Sequence, residues 1–242
     1  MADNWFETWF NSPYYHILYS NRDEQEARMF ITNLMNRLKP KPKSVMLDLA
    51  CGKGRHAKMM EAHGHHVHGI DLSPASIQTA KEQFGNTINW QVHDMREVYL
   101  KNQFDYIFNL FTSFGYFDNH DDNLKVLEAV HQGLKPQGRF VLDFLNLNYV
   151  KKHMKPHEKI TREGIDFVIH KRIENKIIYK TICFEVDGKK HEYTEEVQAL
   201  SHEDFLGFFS KSGFKIIDTF GDYHLNTFTD DAERLIFITE KI

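Results

Sequence analysis

The sequence predicts an α/β fold with a doubly wound, mostly parallel sheet, and two observations support this prediction. Short apolar segments alternate with helical segments from Ser44 to Leu145, a pattern typical of repeated β-α-β units. A glycine-containing loop and an acidic residue follow the first two predicted strands, at the edge where open α/β sheets bind ligands. The 242 residues suffice for one good core, so we expect one α/β domain with an insertion.

The first predicted unit begins with an apolar strand, Val45 to Leu49, that is interrupted only by Asp48. The next loop contains Gly52 and Gly54, which lack a Cβ and let the backbone approach a ligand closely. A helix follows, and the second strand ends in Asp71. Because parallel strands end at the same edge of a sheet, we expect Asp71 beside the glycine loop, where a carboxylate suits the two hydroxyls of a ribose.

The alternation continues through the rest of the chain. We predict further strands at 88–92, 104–111, 138–145, 214–220 and 235–239, and helices at 74–84, 119–134 and 201–212. Each helix is bounded by a capping signal, such as the Ser73-Pro74 pair before the first of them. These elements complete a sheet of seven strands.

Two regions depart from this alternation. Between Tyr149 and Leu200 the hydrophobic period changes to two, which predicts three antiparallel strands at 165–173, 176–186 and 190–200, with turns at 174–175 and 187–188. The first 43 residues are rich in aromatic side chains and predict a helical lid over the site. The predicted organisation is a lid at 1–43, an α/β domain at 44–148 and 201–242, and an antiparallel insertion at 149–200.

Composition limits the partners. The net charge of -4 gives no electrostatic reason to expect a nucleic acid, and no apolar run approaches membrane-spanning length. The insertion is locally basic, but a solvated sheet face explains this better than an anion-binding surface. Cys51 and Cys183, the two cysteines, lie far apart in the sequence, so we expect no disulfide and a cytoplasmic location. The sequence does not distinguish a homodimer from a monomer.

The glycine loop resembles the first motif of class I S-adenosylmethionine-dependent methyltransferases, [D/E]-x-G-x-G-x-G. Here the spacing is Asp48-x-Ala50-x-Gly52-x-Gly54, with Ala50 in place of the first glycine, and Asp71 ends the next strand as in the family. The absence of a third glycine in G-x-G-x-x-G disfavours a nicotinamide cofactor. The resemblance implies a Rossmann-like sheet of seven strands with an antiparallel last strand, and S-adenosylmethionine as the cofactor.

Two further motifs strengthen this resemblance. Asp94-Met95-Arg96 follows the third strand, where the family places an acid for the adenine amino group beside an apolar residue that packs on the ring. The segment from Asn109 to Phe117 is similar to that of the branch containing glycine N-methyltransferases and amino-sugar N,N-dimethyltransferases. This branch also has an antiparallel insertion after the fifth strand and an aromatic N-terminal helix over the cofactor.

The motifs and the resemblance together indicate the site residues. The predicted cofactor-binding residues are Asp48, Ala50, Cys51, Gly52, Lys53, Gly54, Arg55, Asp71, Leu72, Asp94, Met95, Asn109, Leu110, Phe111 and Ser113, with Tyr14 and Tyr19 from the lid. Tyr15, Tyr223 and His224 are the candidates for orienting or deprotonating an acceptor, although an amine that binds neutral needs no general base. The cluster His63, His65, His66 and His68 lacks an acidic or cysteine ligand, so no metal site is predicted.

The predicted function is in-line transfer of a sulfonium methyl group to a small molecule, with an amine nitrogen preferred because of the branch resemblance. Positioning and desolvation supply most of the rate in such a reaction. The alternatives are an RNA or protein methyltransferase that uses the basic insertion, a cofactor-binding protein without catalysis, and a nicotinamide enzyme. The sequence does not identify the acceptor.

Overall fold

The computed structural model describes residues 5–19, 24–117 and 119–242 and contains two sheets. The strands are β1 (Val45–Leu49), β2 (His66–Asp71), β3 (Asn89–Val92), β4 (Phe104–Asn109), β5 (Leu134–Leu145), β6 (His157–Arg162), β7 (Ile165–Glu174), β8 (Ile177–Val186), β9 (Lys189–Gln198), β10 (Phe214–Phe220) and β11 (Arg234–Lys241). The helices are α1 (Trp5–Phe10), α2 (Pro13–Leu18), α3 (Glu24–Leu38), α4 (Arg55–Ala62), α5 (Pro74–Phe84), α6 (His120–Gly133), α7 (Leu147–His153) and α8 (His202–Lys211).

The larger sheet has seven strands in the order β3-β2-β1-β4-β5-β11-β10. Strands β1 to β5 are parallel to one another, and β11 is antiparallel to both of its neighbours. The Rossmann-like fold with an antiparallel last strand is therefore confirmed. The order reverses at β1, so the ends of β1 and β4 form the switch point at which such sheets bind ligands.

Helices cover both faces of this sheet, as a doubly wound fold requires. On one face, α3, α4 and α5 pack through side chains such as Phe30, Met60 and Ile77. On the other face, α6 and α8 pack through side chains such as Leu127 and Phe205. No helix in the described part of the chain is long and apolar enough to span a bilayer.

The second sheet is antiparallel, in the order β6-β7-β8-β9, and lies between β5 and α8 in the sequence. The prediction of three strands here was wrong by one, because Ile160 is the one apolar residue of β6, and the strand therefore lacks an apolar signal. The turn between β7 and β8 is formed by Asn175 and Lys176, both with left-handed φ angles (50° and 61°). The end of β7 and the start of β8 therefore each differ by one residue from the prediction.

The N-terminal segment does not pack as one unit, in contrast to the single lid predicted for residues 1–43. Trp9 of α1 and Leu18 of α2 join Phe167 and Ile182 in the core of the smaller sheet. Helix α3 packs instead on α4 and the larger sheet. Only α1 and α2 therefore have the position of a cover.

The strand β4 ends two residues earlier than predicted. Phe111 and Thr112 have φ angles of 67° and 60°, which an extended strand does not allow. The chain turns away from the sheet at this point and sends the segment after β4 toward the N-terminal helices.

The indole of Trp90 explains why Gly54 has no side chain. A Cβ on Gly54 would lie 2.3 Å from the ring of Trp90, and a Cβ on Gly69 would lie 2.4 Å from it. The packing of Trp90 between β2 and the loop therefore requires a glycine at position 54. Its φ of 83° adds a second reason, since few other residues adopt this conformation.

We expect Gly54→Ala to destabilise the protein more than Gly64→Ala. Both glycines have left-handed φ angles, but a Cβ on Gly64 meets no atom within 4 Å. The control substitution thus carries the backbone strain alone, and Gly54→Ala adds overpacking that costs about 1–3 kcal/mol. Urea unfolding of both variants measures the difference, and equal losses of unfolding free energy would show that Trp90 does not require the glycine.

Candidate active site

A cavity of about 370 Å³, the first cavity, lies at the carboxyl ends of β1, β2 and β4 beneath α1 and α2. It is lined by Phe6, Phe10, Tyr15, His16, Tyr19, Ala50, Cys51, Gly52, Lys53, Arg55, His56, Asp71, Leu72, Ser76, His93, Asp94, Met95, Arg96, Leu110, Phe111, Ser113, Tyr116 and Phe117. The glycine loop, Asp71 and the Asp94-Met95 pair meet here, as the sequence analysis expected from three separate motifs.

Two carboxylates hold the glycine loop. Asp48 is buried and accepts a hydrogen bond from the backbone N–H of Ala57, at 3.0 Å, so it anchors the start of α4. Asp71 accepts the N–H of Gly52 and the N–H of Ser73, each at 2.8 Å. Asp71 therefore joins the end of β2 to the loop after β1, and it also lines the first cavity.

Burial changes the protonation of both carboxyl groups. It raises the pKa of Asp48 to about 7, although the hydrogen bond from Ala57 opposes the shift and the nearby charge of Asp71 adds to it. Burial also raises the pKa of Asp71, against the two backbone hydrogen bonds it accepts. A bound cation near this pair would favour the ionised forms.

A second cavity, of about 340 Å³, adjoins the first and lies between the smaller sheet and α7. Tyr19, Phe111 and Tyr116 line both cavities, and we call these three residues the junction. The remaining walls contain Thr112, Leu145, Tyr149, Val150, His153, Met154, Lys171, Ile178, Lys180, Glu195, Val197 and Arg234. The two cavities therefore adjoin at these three aromatic residues.

The part of the chain that forms the first cavity is similar to known methyltransferases. Residues 46–138 match the family model described as "Methyltransferase domain". The chain is thus similar to methyltransferases over this stretch, which is less than half of its length. The matched residues include β1 to β4 and therefore the glycine loop, Asp71 and the segment after β4. The prediction of a methyltransferase is confirmed.

Relatives cover nearly the whole chain at low identity. The YqeM protein of Bacillus subtilis (strain 168) is 24% identical over 210 residues, which are 82% of this chain and 85% of that protein. An S-adenosylmethionine-dependent methyltransferase from Clostridium acetobutylicum ATCC 824 has a TM-score of 0.81 at 20% identity, over 94% of this chain and 96% of the other. CalS10 from Micromonospora echinaspora, named an amino pentose methyltransferase and solved with S-adenosylmethionine bound, has a TM-score of 0.75 at 17% identity, over 96% and 98%.

The segment after β4 of this methyltransferase is held by Asp143, which is fully buried near the end of β5. Its carboxylate accepts hydrogen bonds from the N–H of Phe111 (2.8 Å), from Nε of Arg234 (2.8 Å) and from the hydroxyl of Tyr223 (3.1 Å). Arg234 also donates to the hydroxyl of Thr112 at 2.9 Å. This network fixes the left-handed Phe111 and Thr112 and thereby the position of the junction.

The structure places several predicted site residues away from the first cavity. Asn109 is buried and donates to the carbonyl of Leu49, and Asp48 accepts the backbone N–H of Ala57. Gly54 packs against Trp90, and Tyr14 packs on Phe184 of the smaller sheet. Tyr223 packs on Phe30 and is bonded to Asp143, while His224 is exposed. Neither Tyr223 nor His224 lines either cavity, so the geometry gives no support to their predicted roles with an acceptor.

His16 and Arg96 line the first cavity and were missed by the sequence analysis. Burial, with a contribution from the charge of Lys53, lowers the pKa of His16 to about 4, so its imidazole is neutral at pH 7. Arg96 forms an ion pair with Asp94 at 2.6 Å and lies over the ring of Phe117. A basic residue two positions after Asp94 was the available signal for Arg96, whereas nothing distinguished His16 among fifteen histidines.

The buried carboxyl of Asp48 makes the free energy of unfolding depend on pH. Its pKa is about 7 in the folded protein against an ordinary value of 3.8, so the folded state binds the proton more tightly. Stability therefore falls as the pH rises from about 4 to about 7 and is level above that. Asp48→Asn removes this contribution, and we expect a smaller difference between pH 5 and pH 8 in urea unfolding.

The control for this experiment is Asp230→Asn, which changes an exposed carboxyl group near β11. This variant should keep the pH dependence of the wild type. If Asp48→Asn keeps it as well, the buried carboxyl is not its source.

Arg234→Met should destabilise the protein by about 3–5 kcal/mol, because it leaves the carboxylate of Asp143 buried without its cation. Arg139→Met is the matched control, since Arg139 pairs with Glu240 on the same two strands at 3.6 Å and both side chains are about one third exposed. Such a pair contributes about 0–1 kcal/mol. Thermal and urea unfolding measure both variants, and similar losses would contradict the importance assigned to Asp143.

Proposed function

We propose that this methyltransferase binds S-adenosylmethionine in the first cavity and methylates an amine nitrogen of a small molecule held in the second cavity. The observation that carries the proposal is the junction, where two cavities of small-molecule size meet. When bound, S-adenosylmethionine supplies a sulfonium methyl group for in-line displacement. The ring faces of Tyr19, Phe111 and Tyr116 are electron-rich surfaces that suit a cationic group.

The residues of the first cavity fit this cofactor. The φ of Gly52 is 54°, and its position opens into space with no atom within 4 Å of a Cβ, so the loop leaves room for a ligand against its backbone. Asp71 offers a carboxylate for ribose hydroxyls on the adjacent wall. Leu72 and Met95 supply apolar surface beside it, and Leu72 is 37% exposed, which an adenine ring would reduce.

The chain's own groups act mainly by positioning and by excluding water. Helices α1 and α2 cover the first cavity. The rings of Trp5 and Phe10 pack edge-on against the ring of Tyr116, with centroid separations of 5.5 and 5.6 Å. Because His16 is neutral, it adds no positive charge that would repel a sulfonium. An acceptor amine that binds neutral needs no base, and among the candidates from the sequence only Tyr15 lines the first cavity.

A small acceptor fits better than an RNA or a protein. Two exposed basic side chains of the insertion are paired with acids, Lys159 with Asp166 and Arg172 with Glu174. Lys171 and Lys180 face the second cavity instead of forming an outer cationic surface. The preference for an amine is supported by the fold shared with CalS10, an amino pentose methyltransferase. The free Cys51 and Cys183 are compatible with the proposed cytoplasmic location.

Asp71→Asn tests the ribose assignment. We expect it to weaken binding of S-adenosylhomocysteine by about tenfold to a hundredfold, because a charged acceptor for hydrogen bonds is lost. Binding of the 2′-deoxy analogue should change much less, since that ligand lacks one of the hydroxyls. Isothermal titration calorimetry measures both ligands with both proteins.

Asp218→Asn is the control, because Asp218 lies on β10 in an ion pair with Arg37 and lines neither cavity. An equal loss for both ligands in Asp71→Asn would assign Asp71 to ordering the loop and not to the ribose. Failure of the wild type to bind S-adenosylhomocysteine would contradict the proposed function itself.

A further inference from the structure

We infer that the second cavity recognises an anionic group of the methyl acceptor, a carboxylate or a phosphate, through the ammonium groups of Lys171 and Lys180. The inference rests on the proposed function, because it gives the chemical class of the acceptor that this site would take. It extends the proposal from an amine to an amine that also carries negative charge.

The strand register brings the two lysines together. Lys171 of β7 lies directly opposite Lys180 of β8, and their side chains share one face of the smaller sheet. The neighbouring pairs on that face are Ile169 with Ile182 and Ile173 with Ile178. Like charges directly opposite one another destabilise an antiparallel pair. Here Glu158, which pairs with Lys171, and Glu195, which lies opposite Lys180 on β9, offset that repulsion.

Both ammonium groups belong to the wall of the second cavity and are partly withdrawn from water. The side chains of Lys171 and Lys180 are 25% and 19% exposed. Among the described residues of this wall, three permanent cations, Lys171, Lys180 and Arg234, face one carboxylate, Glu195. The lysine ammonium groups in this partly desolvated wall attract an anion more strongly than exposed ammonium groups do.

Each of the three cations has an acidic partner within 4.0 Å, and two of these acids lie outside the cavity wall. Glu158 binds Lys171 at 2.8 Å, and Asp143 binds Arg234, but neither acid lines the cavity. Glu195 is the acid within the wall, and its carboxylate accepts the Trp9 indole N–H at 2.8 Å and the Tyr19 hydroxyl at 2.5 Å. Its charge is thus engaged by the N-terminal helices, and it lies 3.8 Å from Lys180.

The position of the lysine pair sets the orientation in which an acceptor binds. Lys180 donates a hydrogen bond to the hydroxyl of Tyr19, and Tyr19 is a member of the junction. An anionic group at the lysine pair therefore lies one aromatic side chain away from the first cavity. The nucleophilic end of a small acceptor that extends from the lysines along the wall reaches the junction.

Calorimetric titration with paired amines tests the inference on the intact protein. The phosphate pair is O-phosphoethanolamine and ethanolamine, and the carboxylate pair is β-alanine and β-alaninamide. Each is titrated into wild-type protein with and without saturating S-adenosylhomocysteine. We expect the anionic member of at least one pair to bind about tenfold or more tightly than its partner, and the pair that responds identifies the group.

Three variants assign the effect to the lysine pair. Lys171→Gln should remove about tenfold of the affinity for the anion, and Lys171→Arg should retain most of it. Lys159→Gln is the matched control, because it removes an equal charge from the outward face of the same sheet, where Lys159 pairs with Asp166. A melting curve and S-adenosylhomocysteine binding for each variant establish that the fold is intact.

The outcomes separate this inference from the proposed function. Equal affinity for both members of both pairs, or an equal loss in Lys171→Gln and Lys159→Gln, overturns the inference while binding of S-adenosylhomocysteine stands. Absence of S-adenosylhomocysteine binding in the wild type contradicts the proposed function. In that case the titrations without it still decide whether the lysine pair selects an anion.

Discussion

The buried carboxylate of Asp143 is the interaction on which the arrangement of the site depends. It holds the N–H of Phe111 and the guanidinium of Arg234 at the same point, and so joins the segment after β4 to the last strand. Two consecutive residues, Phe111 and Thr112, are kept in a left-handed conformation that unsupported chains avoid. Without this turn the segment after β4 would continue along the sheet, and the junction between the two cavities would not form.

The site also depends on both sheets, each of which has its own hydrophobic packing. The larger sheet supplies the glycine loop and Asp71, and the smaller sheet supplies the wall with Lys171 and Lys180. Helices α1 and α2 belong to the core of the smaller sheet but cover the first cavity, and Tyr19 is bonded to Glu195 of β9. A change at the second cavity can therefore reach the cover of the first through a single hydrogen-bonded side chain.

Local signals in the sequence were sufficient for the larger sheet and for one half of the site. The parallel strands and the meeting of Asp71 with Gly52 follow from alternation and from residues close to strand ends. The partnership of Asp143 with Arg234 was not predicted, because the two residues are 91 positions apart and only the pairing of β5 with β11 brings them together. The signal was present, since Asp143 is the lone acid in the apolar strand predicted at 138–145. The opposition of Lys171 and Lys180 depended on a turn at Asn175 and Lys176, which the sequence placed one residue too early.

The most direct test of the account is a crystal structure with sinefungin, an analogue of S-adenosylmethionine in which an amine group replaces the S-methyl group. The account predicts that its ribose hydroxyls contact Asp71 and that the amine points between Tyr19, Phe111 and Tyr116 toward the second cavity. An amine directed away from the junction, or a ribose bound at another wall, would contradict it.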